Sequence, residues 1–199
     1  IALVKNNSKV FGYCLAALSI FVWGITFVCT KHLLIYFSAL EILFIRFIFA
    51  YCFLFILNPH RLKLSSKENF LVAIAGLTGV TLYQFTENLA LDFTTASNVS
   101  IIVGICPIFT ALTSQIFLKE KHLSFNFCLG FCLAFVGVVL VSFNGKINFN
   151  LSPKGDILAL ISAICWGFYS LFLTMINKKG YNTILITRKI FFYAILFMI

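Results

Sequence analysis

The sequence predicts an all-α membrane protein, a polytopic bundle of apolar helices. Hydrophobic residues make up 61% of the 199 positions and charged residues only 11%, whereas a soluble domain carries roughly 25% charged residues. The mean hydropathy is +1.04. Three uncharged stretches of more than 20 residues lie at 10–30, 93–118 and 157–177. Because about 20 apolar residues cross the hydrocarbon core of a bilayer, each stretch is long enough to span it.

Seven membrane spans are expected from the alternation of apolar runs and short polar linkers. We place them at 10–30, 39–57, 70–90, 95–118, 123–143, 156–176 and 183–199. Small residues recur at helical spacing in the fourth, fifth and sixth spans, and this pattern favours close packing of helices in lipid. The longest linker, 144–155, contains Gly145, Pro153 and three Asn residues.

A thirteen-residue segment of the first span recurs 143 positions further along the chain. Segments 12–24 and 155–167 share six identical residues, which are Gly, Leu, Ala, Ser, Trp and Gly in that order. Five predicted spans, counting the first, precede the second segment, and an odd number of crossings reverses its direction through the membrane. Inverted repeats are typical of secondary transporters. We therefore interpret 10–143 as one five-helix repeat, 144–155 as a linker and 156–199 as the first two helices of an inverted second repeat.

The basic residues predict the orientation of the chain. The net charge is +9, and nine Lys and Arg residues fall in the linkers of one side, whereas Lys31, Lys146 and Lys154 fall on the other. The positive-inside rule then predicts a cytoplasmic N-terminus and an external 144–155 linker. No basic stripe with interleaved exposed aromatic residues accompanies this charge, so we expect a lipid bilayer and not a nucleic acid as the partner.

Sequence patterns for catalysis, metal binding and cofactors are missing. All three His residues (His32, His60 and His122) lie in linkers, and no Gly-x-Ser-x-Gly, paired-His or phosphate-binding motif occurs. The seven Cys residues lie within or beside apolar runs, without His or acidic residues at ligand spacing, which favours a packing role. We therefore expect no enzyme activity, no cofactor and no metal ion.

Polar groups inside the predicted spans are the candidates for a substrate pathway, because lipid burial is costly without a polar partner. Arg46 either extends to the lipid headgroups or lines a cavity. Gln84, Glu87 and Asn88 share one helix face at positions i, i+3 and i+4. Glu87 is either a proton- or cation-binding carboxylate or a solvated group at the outer interface. Its separation of only five residues from Asp92 slightly favours the interface.

Four further residues complete the candidate set. Asn98 opens the fourth span and either caps the helix, which we favour, or lines the pathway. Pro107 interrupts the same span and produces either a static kink or a hinge. Trp23 and Trp166, the repeated tryptophans, lie midway along their spans, and this depth predicts rings packed at a close helix crossing beside a central cavity.

The sequence resembles the EamA family of the drug/metabolite transporter superfamily over nearly its whole length. The matching pieces are Trp23-Gly24, Arg46, and the segments 90–98, 107–112, 117–120 and 130–138. The resemblance implies ten spans in two five-helix repeats, and export or exchange of small metabolites such as amino acids across the bacterial inner membrane. It also implies that the chain holds one repeat and two helices of the second. We therefore expect either a partial copy of a ten-helix transporter or assembly with a second chain.

These observations favour a secondary transporter that exports or exchanges a small metabolite by alternating access, with a proton or another ion as the coupling partner. The cavity is expected to be lined by Trp23, Gln84, Asn98, Pro107 and Trp166. A seven-helix receptor or photosensor stays open as an alternative, because seven spans are visible and Lys189 is a candidate Schiff-base lysine. A channel is a third alternative, although no filter-like segment is present.

Overall fold

A computed structural model describes residues 2–143 and 152–199. The predicted linker 144–155, with Lys146, therefore lies largely outside the described residues. Seven helical stretches follow one another in the described parts: α1 Ala2–Leu33, α2 Ala39–Leu57, α3 Ser66–Phe93, α4 Ala96–Leu118, α5 Phe125–Phe143, α6 Pro153–Asn177 and α7 Thr183–Met198. Their positions match the seven predicted spans, with α1 and α3 several residues longer than expected.

Five of these helices are long and apolar enough to cross a membrane within the described ranges, namely Val10–Leu33 of α1, and α2, α3, α4 and α6. The described apolar part of α5, Phe125–Leu140, is shorter, and α7 has 16 residues. The chain is thus an all-helical, multi-pass membrane protein, as its composition predicts.

The helices begin where their side chains provide caps. Ser38 and Glu41 form a capping box at the start of α2, and Ser65 and Glu68 form another at the start of α3. In each box the serine hydroxyl and the glutamate satisfy backbone N–H groups that a helix start leaves without partners. The side chain of Asn182 accepts hydrogen bonds from two backbone N–H groups at the start of α7. These caps fix helix starts at both ends of the bundle, because α2 starts at the end where α1 finishes, whereas α3 and α7 start at the opposite end.

Two of the long helices are not regular along their length. The middle of α3, Gly76–Leu82, is a π-helix, in a region where a Cβ on Gly76 would lie 2.8 Å from the carbonyl oxygen of Ile190 in α7. α4 is interrupted by a turn at Gly104 and Ile105, and its second half begins with Cys106 and Pro107. The predicted interruption of this span at Pro107 is therefore confirmed.

α6 lies at the centre of the bundle and packs against both α3 and α4. α7 packs against α2 and the π-helical part of α3, where Leu43, Val72, Ile186 and Ile190 form a buried core. α1 packs mainly against the second half of α3 and the first half of α4, and its Trp23 also contacts Trp166 of α6. α5 touches the first half of α4. The two outer helices therefore have far fewer neighbours than α6.

Contacts at the two ends of the bundle show the relative direction of the helices. At one end, Lys31 near the end of α1 donates to the carbonyl oxygens of Leu91 and Thr94, and Gly155 at the start of α6 packs against Thr94. At the other end, Lys178 after α6 pairs with Glu120 before α5. The end of α1 and the start of α6 thus lie together, so these two helices run in opposite directions.

Candidate functional site

A cavity of about 1110 Å³ lies between α1, α4, α5 and α6. Its walls are mostly apolar and aromatic, and hydroxyl groups are distributed along them: Ser97, Ser100, Thr110, Ser114, Ser170 and Thr174. Thr110 donates a hydrogen bond of 3.4 Å to Ser170, which joins α4 to α6 across the wall. A space of this size, with few convergent polar groups, suits a small amphipathic molecule.

The two repeated tryptophans meet in the wall of this cavity. Their ring centroids lie 5.4 Å apart at an angle of 43°. The Trp166 ring also packs against Tyr83, at 4.9 Å, and Tyr169, at 5.3 Å. These spacings are typical of favourable offset or tilted aromatic pairs. The packing predicted for the tryptophans is therefore present. Trp23 of α1 and Tyr83 of α3 both contact Trp166 of α6.

The glycines that follow the two tryptophans differ in their surroundings. A Cβ on Gly167 would lie 2.8 Å from the Cβ of Phe109 and 3.0 Å from its carbonyl carbon, so the backbones of α6 and α4 approach closely there. At Gly24 no atom of the part of the chain that the structure describes lies within 4 Å of the same position. The expected close crossing at a Trp-Gly pair is thus found at α6 and not at α1.

A second, small pocket of about 10 Å³ lies between α1, α2 and α3. Arg46, Gln84, Glu87 and Asn88 line it together, so the polar face predicted for the third span is present. Trp23 lines both this pocket and the large cavity and separates the two. Gln84 lines the small pocket and is not among the residues that line the large cavity.

Glu87 is buried inside the bundle and not solvated at the interface, which corrects the slightly favoured alternative. It is 4% exposed, whereas Asp92 is exposed. The hydroxyl of Tyr83 donates a 2.9 Å hydrogen bond to Oε1 of Glu87. Five residues of helix turn the two carboxylates about 140° apart, so proximity along the chain does not give them the same environment. Arg46 is half-buried and points to the same pocket.

The roles expected for the residues of α4 also need correction. Thr95, and not Asn98, is the N-cap of α4, because its hydroxyl accepts the backbone N–H of Asn98 at 3.2 Å. The Asn98 amide donates to the hydroxyl of Thr94 at 3.1 Å. Its neighbours Ser97 and Ser100 line the large cavity in its place. Pro107 lines that cavity as expected.

An ionic group at one end of the large cavity was not anticipated from the sequence. Glu120 and His122, in the linker between α4 and α5, line the cavity there. Lys178 lies 2.6 Å from Glu120 Oε1, and His122 lies 2.9 Å from Oε2. The hydrogen bond from Lys178, followed by that with His122, lowers the pKa of Glu120 from its ordinary value. No local sequence pattern predicts this ionic group, because Glu120 and Lys178 are 58 residues apart.

Within the described ranges, no group of three or more His, Cys, Asp or Glu residues has the geometry to hold a metal ion. The substrate-pathway role of Trp23, Arg46, Gln84, Glu87, Asn88, Asn98, Pro107 and Trp166 stays a prediction.

Comparison with known proteins identifies the family. A protein from Archaeoglobus fulgidus named as an uncharacterized transporter is 27% identical over 173 residues, which cover 87% of this chain and 60% of that protein. One from Helicobacter pylori with the same description is 30% identical over 186 residues, covering 88% of this chain and 58% of the relative. The chain thus spans about 60% of the length of these relatives. No solved structure matches it significantly. Since the model of the EamA-like transporter family matches residues 10–143, the chain belongs to that family.

Proposed function

We propose that the complete protein is a secondary transporter that exports or exchanges a small amphipathic metabolite, of amino-acid-like size, through the large cavity. The observation that carries this proposal is the position of the two repeated tryptophans, which pack on each other at 5.4 Å and line the cavity from α1 and α6. Indole rings and hydroxyl groups suit a molecule with an apolar body and a polar head.

Alternating access between two inverted repeats is the proposed mechanism. The opposite directions of α1 and α6, each carrying one copy of the repeated segment, support it. So does the location of the cavity between a helix of each copy, because rocking of one repeat against the other then opens the cavity to either side in turn. The family match and the names of the relatives favour this function over the receptor, photosensor and channel that the sequence left open.

A transport assay tests the proposal. The complete protein in membrane vesicles is given a panel of radiolabelled amino acids and related metabolites. Ser97→Trp places a large ring on the exposed cavity wall of α4, and we expect it to reduce transport at least tenfold. Ile116→Trp is the matched control, since Ile116 is 60% exposed on the same helix and lies away from the cavity. Trp23→Ala is expected to reduce transport of the same compound. Unchanged transport in Ser97→Trp and Trp23→Ala would show that the substrate does not use this cavity.

The proposed location is the bacterial plasma membrane, with a cytoplasmic N-terminus. A topology reporter fused after Asn150 tests the orientation. Alkaline phosphatase is active only outside the cytoplasm, so an active fusion would agree with an external linker between the repeats. A fluorescent but phosphatase-negative fusion would place this linker inside and contradict the proposed orientation.

A further inference from the structure

Glu87 differs from every other acidic residue of the chain in its burial. The chain has six Asp and Glu residues, and all of them lie in the described ranges. Glu87 is 4% exposed, and the other five are exposed or only half-buried. A carboxylate held inside a membrane bundle is expensive and usually marks an ion or proton pathway. Its burial therefore calls for a functional explanation.

The small pocket beside Glu87 has room for about one water molecule. The amide Nδ2 of Asn88 is buried there and has no hydrogen-bond partner among the described residues, although Asn88 is only 2% exposed. Buried donors in native proteins almost always have a partner, and water is the commonest one in a polar pocket. The pocket is therefore equipped to hold a water molecule next to the Glu87 carboxyl group.

The charged and titratable groups that face Glu87 come from three helices: Tyr83 of α3, Arg46 of α2 and Cys106 of α4. Arg46 interacts electrostatically with Glu87 across the pocket, but no ion pair joins them in the described part of the chain. α1 adds the hydroxyls of Thr26 and Thr30, and α6 contributes Trp166 through its contact with Tyr83. A direct ion pair would hold the carboxyl group permanently charged. A separated cation, a phenol and a water can accommodate both of its protonation states.

The pocket is coupled mechanically to the large cavity. Tyr83 donates its hydroxyl to Glu87 and packs its ring on Trp166, which is part of the cavity wall. Trp23 is shared by the two spaces. A substrate that displaces Trp166 therefore also displaces Tyr83, the hydrogen-bond donor of Glu87, and a change in the protonation of Glu87 alters the packing of the cavity wall.

We propose that Glu87 is the proton-binding site that couples proton movement to substrate movement in this chain. A hydronium ion reaches the pocket from one side, an O–H bond forms on the carboxylate, and water is left behind. In the opposite conformation the same O–H bond breaks and the proton returns to water on the other side. The coupling part of this inference rests on the proposed transport function, whereas proton binding by Glu87 does not.

Infrared difference spectroscopy of the complete protein in lipid tests proton binding directly, with protons as the probe. Lowering the pH should produce a carbonyl band to which each protonated carboxylic acid contributes, and the contribution of Glu87 should be lost from this band in Glu87→Gln. In Tyr83→Phe the band should move to higher frequency, because the carbonyl loses a hydrogen bond. Glu41→Gln is the control, since Glu41 is exposed and glutamine preserves its capping box. A band that persists unchanged in Glu87→Gln overturns the proposal, and if that variant does not fold, an unshifted band in Tyr83→Phe does so.

Transport distinguishes the coupling from the proposed function itself. For a compound found in the transport panel, wild-type protein in liposomes should accumulate it in response to a pH gradient. Glu87→Gln should lose this accumulation but retain exchange of labelled for unlabelled compound without a gradient. Equal accumulation by the variant and the wild type refutes coupling through Glu87 while leaving the transport function intact. If no compound is transported at all, the transport function fails, and the infrared band still decides whether Glu87 binds a proton.

Discussion

The two copies of the repeated segment lie in different environments. In the α6 copy, Ala159 and Ser162 are fully buried and Gly167 is in close contact with Phe109 of α4. In the α1 copy, a Cβ on Gly24 would meet none of the described residues, and Trp23 is 38% exposed. At the six positions that are identical in the two copies, the residues are the same, so the difference there comes from the surroundings.

Small residues in the repeated segment allow close helix packing, but whether such packing occurs depends on the neighbouring helices. Small residues at Ala159, Ser162 and Gly167 allow the backbone of α6 to approach α3 and α4, and close contact supplies much of the attraction between helices in lipid. The same residue types in α1 lie on an exposed surface of this structure. The tryptophans of both copies contact each other, and the serines of both copies, Ser19 and Ser162, each donate to a backbone carbonyl about one turn earlier. Paired substitutions at equivalent positions can therefore test the comparison.

The largest difference is expected between Gly167→Ala and Gly24→Ala. The new methyl group at 167 would lie 2.8 Å from the Cβ of Phe109 and 3.0 Å from its carbonyl carbon, and neither atom can move away easily, so we expect a loss of about 3 kcal/mol in stability. At 24 the methyl group meets no atom of the described residues, and alanine favours a helix by about 1 kcal/mol over glycine. Thermal unfolding of the complete protein in one detergent measures both. Equal effects would mean that the two environments do not differ in the membrane protein as proposed.

A smaller difference is expected between Gly155→Ala and Gly12→Ala. At 155 the new methyl group would lie 2.9 Å from the methyl group of Thr94, which can rotate, but also 3.0 Å from the Cβ of Thr94, which cannot, so a loss of about 2 kcal/mol is expected. At 12 no atom of the described residues lies within 4 Å. The same unfolding assay measures the pair. A loss at 155 as large as that at 167 would indicate that the end of the bundle is as rigid as its centre.

The smallest expected effect is that low pH weakens the side-chain contact that holds the end of α6 but not the one that holds the end of α1. The linker after α6 is held through Lys178 and Glu120, whose pKa is lowered from 4.5 by that contact. This stabilisation is complete above the ordinary pKa and is lost as pH falls through the lowered one. The attachment of α1 is unaffected, because Lys31 donates to backbone carbonyl groups that do not titrate. We expect the linker 178–182 to exchange hydrogen faster in Glu120→Gln than in the wild type at neutral pH, and at equal rates in strong acid.

The corresponding control is the linker 34–38 beside Lys31, measured in the same samples. Comparing Glu120→Gln with the wild type at each pH cancels the intrinsic dependence of hydrogen exchange on pH. A difference between the two proteins that stays constant down to strong acid would contradict an ionic attachment of α6. A matching change in 34–38 would show that the effect is not specific to α6.

The fold could be predicted to a large extent because bilayer thickness and helix rise fix the length of a span. Ala39–Leu57 has the predicted bounds, since Ser38 and Glu41 supply a start signal and Asn58 follows the last apolar residue. The cap of α4 was misassigned because Thr95 and Asn98 are both good capping residues, and only the backbone geometry distinguishes them. The π-helical segment Gly76–Leu82 was not foreseen, since it accompanies close contacts with α6 and α7.

The candidate site could be predicted in part. Helical periodicity alone puts Gln84, Glu87 and Asn88 on one face, and the structure agrees. Periodicity does not say which neighbour that face meets, so the depth of Glu87 and the proximity of Arg46 were left open. The same limit applies to Glu120 and Lys178, whose pairing depends on how α4 and α6 lie in the bundle.

The pair of indole rings also gives this chain a distinctive optical property. Trp23 and Trp166 are its only tryptophans, and two identical chromophores 5.4 Å apart at 43° must couple their electronic transitions. Such a pair produces an exciton couplet in circular dichroism whose amplitude falls steeply as the rings separate. Any motion that moves α1 away from α6 would therefore reduce the couplet, so the opening of the cavity could be followed without a label and without knowledge of the substrate.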